Sequence, residues 1–281
     1  MNFILPALSA ALQGASVTLD KAILLKRRMD ERSYITRGFP LYFLFTLAVF
    51  LVLRPPIHIQ DLKGMMGLFM ILTIVITSGT NVLFYRAMKG DVLSEIQTVE
   101  LLKDLPTILL VSLLFTDERR PIVLAAAVIA TLTVVWSHWK HHHFSVKGAT
   151  AVFLAWMLVT KPLQAVMAKE LLVVWHPVSL EFIRTAGLTL ILVPLFWKGA
   201  KRVPRNVYGP LILTNALSAL GWVLYYMSFK ASGVIYTVLL FSLQPFLVYT
   251  ASMMFLKEKF HWKKCVGFIV VLICVAIAQL S

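Results

Sequence analysis

Ten mostly apolar stretches, most of them near twenty residues long, follow one another along the chain. They cover 3–24, 35–53, 64–86, 92–115, 121–138, 149–171, 177–197, 207–229, 233–256 and 265–280. A helix needs about 20 such residues to cross the hydrocarbon layer of a bilayer. Inside lipid the backbone polar groups must bond within their own segment, so stretches of this kind fold as helices. Composition excludes the aqueous alternative. With 59% hydrophobic and 14% charged residues, too few charges are present to cover a soluble surface, and the mean hydropathy is +0.82. The longest polar stretches, 25–34, 54–63, 139–148 and 198–206, are short connections. Consecutive helices are therefore expected to be antiparallel neighbours, with no room for a sizeable soluble domain. The first segment lacks the basic leader of a signal peptide and reads as a membrane helix. Cys265 and Cys274 both fall in the last apolar stretch, where thiols are core filler rather than a disulfide framework or a metal site.

The chain carries 27 Lys+Arg against 13 Asp+Glu, a net charge of +14. In a soluble protein this would suggest nucleic acid. In a polytopic membrane protein it belongs to loops that stay in the cytoplasm, and no nucleic-acid partner is expected. Loops after the odd-numbered segments hold 15 Lys+Arg and loops after the even-numbered ones hold 5. That bias predicts odd loops in the cytoplasm and both termini outside.

The sequence also repeats itself. Val82-Leu83-Phe84-Tyr85-Arg86-Ala87-Met88-Lys89 is echoed by Val223-Leu224-Tyr225-Tyr226-Met227-Ser228-Phe229-Lys230. Pro106 and Pro245 each fall inside the next segment, and Phe115-Thr116-Asp117-Glu118 is echoed by Phe255-Leu256-Lys257-Glu258. Arg37 has a counterpart in Arg184. These echoes divide the chain into two repeats, 1–145 and 146–281, of five helices each. An odd helix count forces the second copy to enter the membrane inverted. The expected fold class is thus an all-α polytopic membrane protein of ten transmembrane helices arranged as two inverted five-helix repeats. Such repeats belong to alternating-access transporters, whose substrate site lies near the midplane between the halves.

The run from Tyr225-Tyr226-Met227-Ser228-Phe229-Lys230-Ala231-Ser232 through Leu243-Gln244-Pro245 to Phe255-Leu256-Lys257-Glu258-Lys259 resembles the drug/metabolite transporter superfamily, in its ten-helix EamA type. The shared pattern is an aromatic-rich helix, a tight turn of small residues, a mid-helix proline and a terminal Gly-Glu-Arg-like motif. Here Lys257 and Lys259 stand where Gly and Arg are usual, and Thr116-Asp117-Glu118-Arg119 departs in a similar way. The resemblance extends over nearly the whole chain. It implies a secondary transporter without cofactor or ATP site, with the fourth and sixth helices lining the cavity. It also implies both termini inside, opposite to the charge count.

Glu100, Lys103 and Asp104 sit near the centre of segment 92–115, with Glu95 nearer its start. A charge at the bilayer centre costs roughly 2.5–3.5 kcal/mol on insertion scales, so these groups should face protein or a wet cavity. Glu100 lies three and four residues before Lys103 and Asp104, on one helical face. They either line a substrate cavity or form a self-neutralising pair that joins helices. Lys161-Pro162 lies at the centre of segment 149–171, with Trp156 and Thr160 nearby, and proline frees a carbonyl that can face a cavity. A contact of Lys161 with Asp104 or Glu100 between the halves is expected. Gln13 lies near the middle of the first helix, and Asp20 is expected to face the Glu95 end of the fourth. Tyr85, Trp156, Trp222, Tyr225, Tyr226 and Tyr236 offer rings with a polar tip, either around a ligand or as packing and interfacial belts. Asn81, Asn215, Ser242 and Gln244 can add hydrogen bonds, and Arg37 and Arg184 read as interfacial anchors. His141, His142 and His143 lack metal-site spacing, and no phosphate loop or catalytic-triad motif occurs.

The substrate-binding set is therefore Gln13, Tyr85, Glu100, Lys103, Asp104, Trp156, Lys161, Tyr226, Tyr236 and Gln244, with no catalytic residue, metal or cofactor. The expected function is alternating-access transport of a small polar, amino-acid-like metabolite, with export favoured and protons as a candidate coupling ion at Glu100 and Asp104. The alternatives are a translocator of an amphipathic or lipid-linked substrate and, in another class, a membrane scaffold or embedded enzyme. The expected location is the cell membrane, the inner one in a Gram-negative bacterium.

Overall fold

A computed structural model describes residues 3–26, 29–57, 59–119, 121–137, 139–140, 143–144, 148–257 and 262–280. Among these residues the apolar stretches form twelve α-helices. They are α1 (Ile4–Lys26), α2 (Glu31–Leu53), α3 (Gly64–Gly90), α4 (Leu93–Glu100), α5 (Asp104–Leu114), α6 (Pro121–Ser137), α7 (Gly148–Val174), α8 (Pro177–Trp197), α9 (Arg205–Ser232), α10 (Val234–Phe241), α11 (Leu243–Phe255) and α12 (Trp262–Leu280). One two-residue antiparallel pairing, Trp139–Lys140 with His143–Phe144, lies between α6 and α7. His141, His142, Glu258 and Lys259 of the sequence motifs lie outside the described residues.

Six stretches are long and apolar enough to cross a membrane by length and composition: α2, α3, α7, α8, α9 and the continuous span Val234–Phe255. α6 and α12 contain shorter apolar runs, 124–133 and 265–274. Large aliphatic side chains cover the outer faces. Val52, Val173 and Leu190 are each at least 75% exposed, as lipid-facing residues are. The ends follow local chemistry. α2 stops where Arg54 turns left-handed ahead of Pro55-Pro56. α8 begins at Pro177, a favoured first helical position, with the His176 side chain accepting from the Val178 amide at 3.3 Å. α9 ends at Gly233, whose φ of 87° is a glycine conformation.

Two expected continuous helices are broken. The fourth segment is α4 and α5 joined by a 3₁₀ turn, Leu101–Lys103, and the ninth is α10 and α11 joined at Ser242. In each case a proline follows the break, at Pro106 and Pro245. Proline brings no N–H and its ring crowds the carbonyl four residues earlier, Leu102 or Phe241, so the regular ladder cannot pass.

The helices pack in pairs: α1 on α9, α2 on α8, α3 on α7, α4 on α11 and α6 on α12. Small and hydroxyl side chains let α1 and α9 approach closely. Ser9 donates to the Gly221 carbonyl at 2.8 Å, and Ser16 lies 2.7 Å from the Ser218 hydroxyl. A Cβ added at Gly221 would come within 2.8 Å of the Gln13 amide nitrogen.

Candidate functional site

The interrupted helices and α7, which carries Pro162 inside it, meet around a central cavity of about 160 Å³. A cavity of ~150 Å³ takes a single benzene-sized ring. Its walls come from α1, α2, α3, α4, α5, α7, α8, α9, α10 and α11, while α6 and α12 contribute none of the lining. Of the residues anticipated from sequence, Gln13, Tyr85, Glu100, Lys103, Asp104, Lys161, Tyr226 and Gln244 all face it. Trp156 and Tyr236 lie outside the lining. The Trp156 ring covers Gly79, which has no side chain to hold it off, and its N–H donates to Thr80 at 2.9 Å. In α10 the helical period turns Val238 and Phe241 toward the cavity and Tyr236 away.

Charge inside the cavity divides into satisfied pairs and open groups. Lys103 donates to Glu100 at 2.9 Å, and Glu100 also accepts from Gln97 at 2.8 Å. The 3₁₀ turn brings these groups together. Arg184 is not the interfacial anchor expected. It is 4% exposed and makes two 2.7 Å bonds to Glu181, which is itself 0% exposed, and Tyr42 closes the group by donating to Glu181. The signal was present in the sequence as Glu181 three residues before Arg184, on one face of α8.

Lys161 and Asp104 remain open. Among the described residues neither side chain makes a hydrogen bond or ion pair with a protein group, and both residues line the cavity. The contact expected of Lys161 with Asp104 or Glu100 is not made among the described residues; these groups act on one another only electrostatically. The Lys161 ammonium lies 5.5 Å from the centre of the Trp222 ring, and the Arg184 guanidinium lies 5.1 Å from it. Trp222 packs in turn against Tyr225 and Phe241, which forms an aromatic wall with two cations on it. Gln97 and Gln164 spend their amide donors on Glu100 and Thr77, and their carbonyl oxygens are buried without a partner. Both residues line the cavity. Sequence reasoning missed these two glutamines and Arg184.

Asp20 lies on the cavity wall. It accepts hydrogen bonds from Tyr34 on α2 and from Thr214 on α9, the latter at 2.6 Å. Lys21 points elsewhere, donating to the carbonyls of Met88 and of Asp91, the latter at 2.5 Å. Beyond the cavity, Lys169 near the end of α7 lies 2.9 Å from Asp117 and 2.6 Å from Glu118. Glu118 also accepts the Ile235 amide at 2.8 Å, at the start of α10. The Lys169 hydrogen bond holds the exposed Asp117 carboxyl below the usual carboxylate range.

Membrane-length apolar helices around a charged internal cavity are the architecture of a multi-pass membrane protein. Residues 148–279 match the EamA-like transporter family, a transporter family and not an enzymatic one, consistent with the drug/metabolite transporter superfamily. Curated proteins yield no match. Among solved structures, one titled only as the crystal structure of a protein shares the fold. It has a TM-score of 0.67 and 15% identity, with 97% of this chain and 96% of that chain covered.

Proposed function

We propose that the protein is a secondary transporter of a small polar, amino-acid-like metabolite, working by alternating access in the cell membrane, with export favoured and protons as the coupling ion. One observation carries the substrate class. Lys161 and Asp104 are opposite charges left open on the same cavity, which Gln97 and Gln164 also line. An amphoteric molecule satisfies both, its carboxylate on Lys161 and its ammonium on Asp104. Burying an ionised group without a partner is costly, so each charge favours a ligand of the opposite sign.

The mechanism rests on two five-helix repeats, 1–145 and 146–281, with ten membrane segments. α4 with α5 and α10 with α11 each count as one broken segment. Exchanging the first segment with the sixth, and so on through the fifth with the tenth, maps the set of packed pairs onto itself: α1–α9 becomes α7–α3, and α2–α8 and α6–α12 return to themselves. Both broken helices are partners under this exchange. Rocking of one repeat against the other would open the shared cavity to either side in turn. Purified protein in proteoliposomes should exchange radiolabelled amino acids across the membrane at equal pH. Exchange of a fluorescent lipid instead would favour an amphipathic substrate, and absence of any exchange would remove the transport reading.

A further inference from the structure

The cavity holds one carboxylate that neither substrate binding nor an ion pair uses. Asp20 is 4% exposed, and among the described residues no basic side chain balances it. Its partners are two hydroxyls, Tyr34 from α2 and Thr214 from α9, and both donate to the same oxygen, Oδ1. Among the described residues no protein hydrogen bond reaches Oδ2. On α1 itself, Lys21 turns about 100° away and is held by carbonyls at the end of α3. Tyr85 on α3 is the other titratable group acting at this point. α10 and α11, which also pack on α1, carry no charged residue, only Tyr236 and Tyr249 as titratable groups. Across the cavity stand Lys103, Lys161, Arg184, Glu100 and Asp104. Of the other cavity carboxylates, Glu100 is paired with Lys103, and Asp104 acts electrostatically with Lys103 and Lys161 without a bond to either.

We propose that Asp20 is the residue that carries the coupling proton, in place of Glu100 and Asp104. The proposal rests on the transport reading above. A proton from water on one side forms an O–H bond at Oδ2, and that bond breaks again when the proton passes to water on the other side. The neighbouring hydroxyls give the step a structural consequence. Thr214 has one hydroxyl hydrogen and three acceptors in reach, Asp20 Oδ1 at 2.6 Å and the Ser16 carbonyl and hydroxyl oxygens, each at 2.9 Å. Ionised Asp20 takes that hydrogen, and protonated Asp20 releases it to Ser16. Asp20 and Ser16 belong to residues 1–145 and Thr214 to 146–281, so the bond across the halves passes between a charged and a neutral acceptor, and the charge on Asp20 decides how firmly the halves are tied at this end of α1. An ion that binds one arrangement of the halves better than the other shifts the equilibrium between them.

The test uses full-length protein in proteoliposomes and a radiolabelled mixture of protein amino acids, with uptake measured with and without a pH gradient. The parent ratio of the two rates should exceed one. In Asp20→Asn it should fall to one whatever the absolute rate, and in Asp20→Glu it should rise above one again. A ratio in Asp20→Asn equal to the parent's overturns the proposal, as does a parent that responds to a sodium gradient and not to pH. A parent with no exchange even at equal pH removes the transport reading itself, which is a different result. Should Asp20→Asn be inactive under both conditions, Thr214→Val and Tyr34→Phe decide. Each keeps the carboxyl and removes one donor to its charged form, so the gradient response should become half-maximal at higher pH. An unchanged pH profile in both variants overturns the assignment.

Discussion

Arg184 and Glu181 close a two-bonded ion pair, 2.7 Å on each arm, wholly inside the helix bundle. Removing one partner of a buried pair leaves the other charge uncompensated and costs roughly 3–5 kcal/mol, whereas replacing both with apolar residues can be neutral. Glu181→Ala should therefore lower the thermal unfolding midpoint of the purified protein sharply. Glu181→Met combined with Arg184→Met should recover most of that loss while transport stays absent, because Arg184 also faces the cavity. A single variant as stable as the parent would show that water already reaches the pair.

A second expectation concerns acid. His176 accepts the Val178 amide through Nδ1, which requires a neutral ring, and burial together with Lys230 pushes its pKa below the usual histidine value. A depressed histidine contributes stability above its unfolded value of about 6.5 and loses it as pH falls from there through the folded value. A helix cap of this kind is worth about 1 kcal/mol. Thermal scans between pH 7 and pH 5 should show a loss of that order. His176→Asn keeps an acceptor without the titration and should flatten this part of the profile; an unchanged slope would place the acid sensitivity elsewhere.

The two broken helices give a third. Pro106→Ala and Pro245→Ala each restore an N–H and remove the clash with the carbonyl of Leu102 or Phe241. Each variant should be at least as stable as the parent, since an interior helix proline costs about 3 kcal/mol. Amide hydrogen exchange should slow across 101–105 in the first and 241–244 in the second. Transport should fall, because a regular helix would re-aim Lys103 and Asp104, or Gln244. Unaltered amide exchange would assign the breaks to the surrounding packing and not to proline.

What the sequence disclosed about the fold followed from period and length, and those survive any detail of packing. The apolar stretches became helices close to their expected bounds, and the Glu100–Lys103 spacing foretold its ion pair. The breaks at Leu101–Lys103 and Ser242 were written in Pro106 and Pro245, yet an apolar run tells nothing of where a helix yields within it. The misplaced site residues share one cause. Whether a side chain faces a cavity depends on its neighbours across helices, such as Gly79 leaving room for Trp156, or Tyr34 and Thr214 converging on Asp20. Arg184 was legible only as half of a pair, because its burial depends on Glu181 and on Tyr42 from a distant helix.

The last expectation separates the two ends of the substrate. Lys161→Met removes the open cation beside Trp222, and Asp104→Asn removes the open anion at the start of α5. Losing one partner of a desolvated charge contact costs about 2–5 kcal/mol, or at least a thirtyfold loss of affinity. Lys161→Met should lose this much for amino acids and little for the corresponding amines, which have no carboxylate to place. Asp104→Asn should do the reverse, losing amino acids while carboxylic acids without the amine are affected little. Competition against radiolabelled amino acid in proteoliposomes measures both. If the two substitutions weaken all three ligand classes equally, Lys161 and Asp104 only balance each other across the cavity, and the substrate is held by the aromatic wall of Trp222, Tyr225 and Phe241 instead.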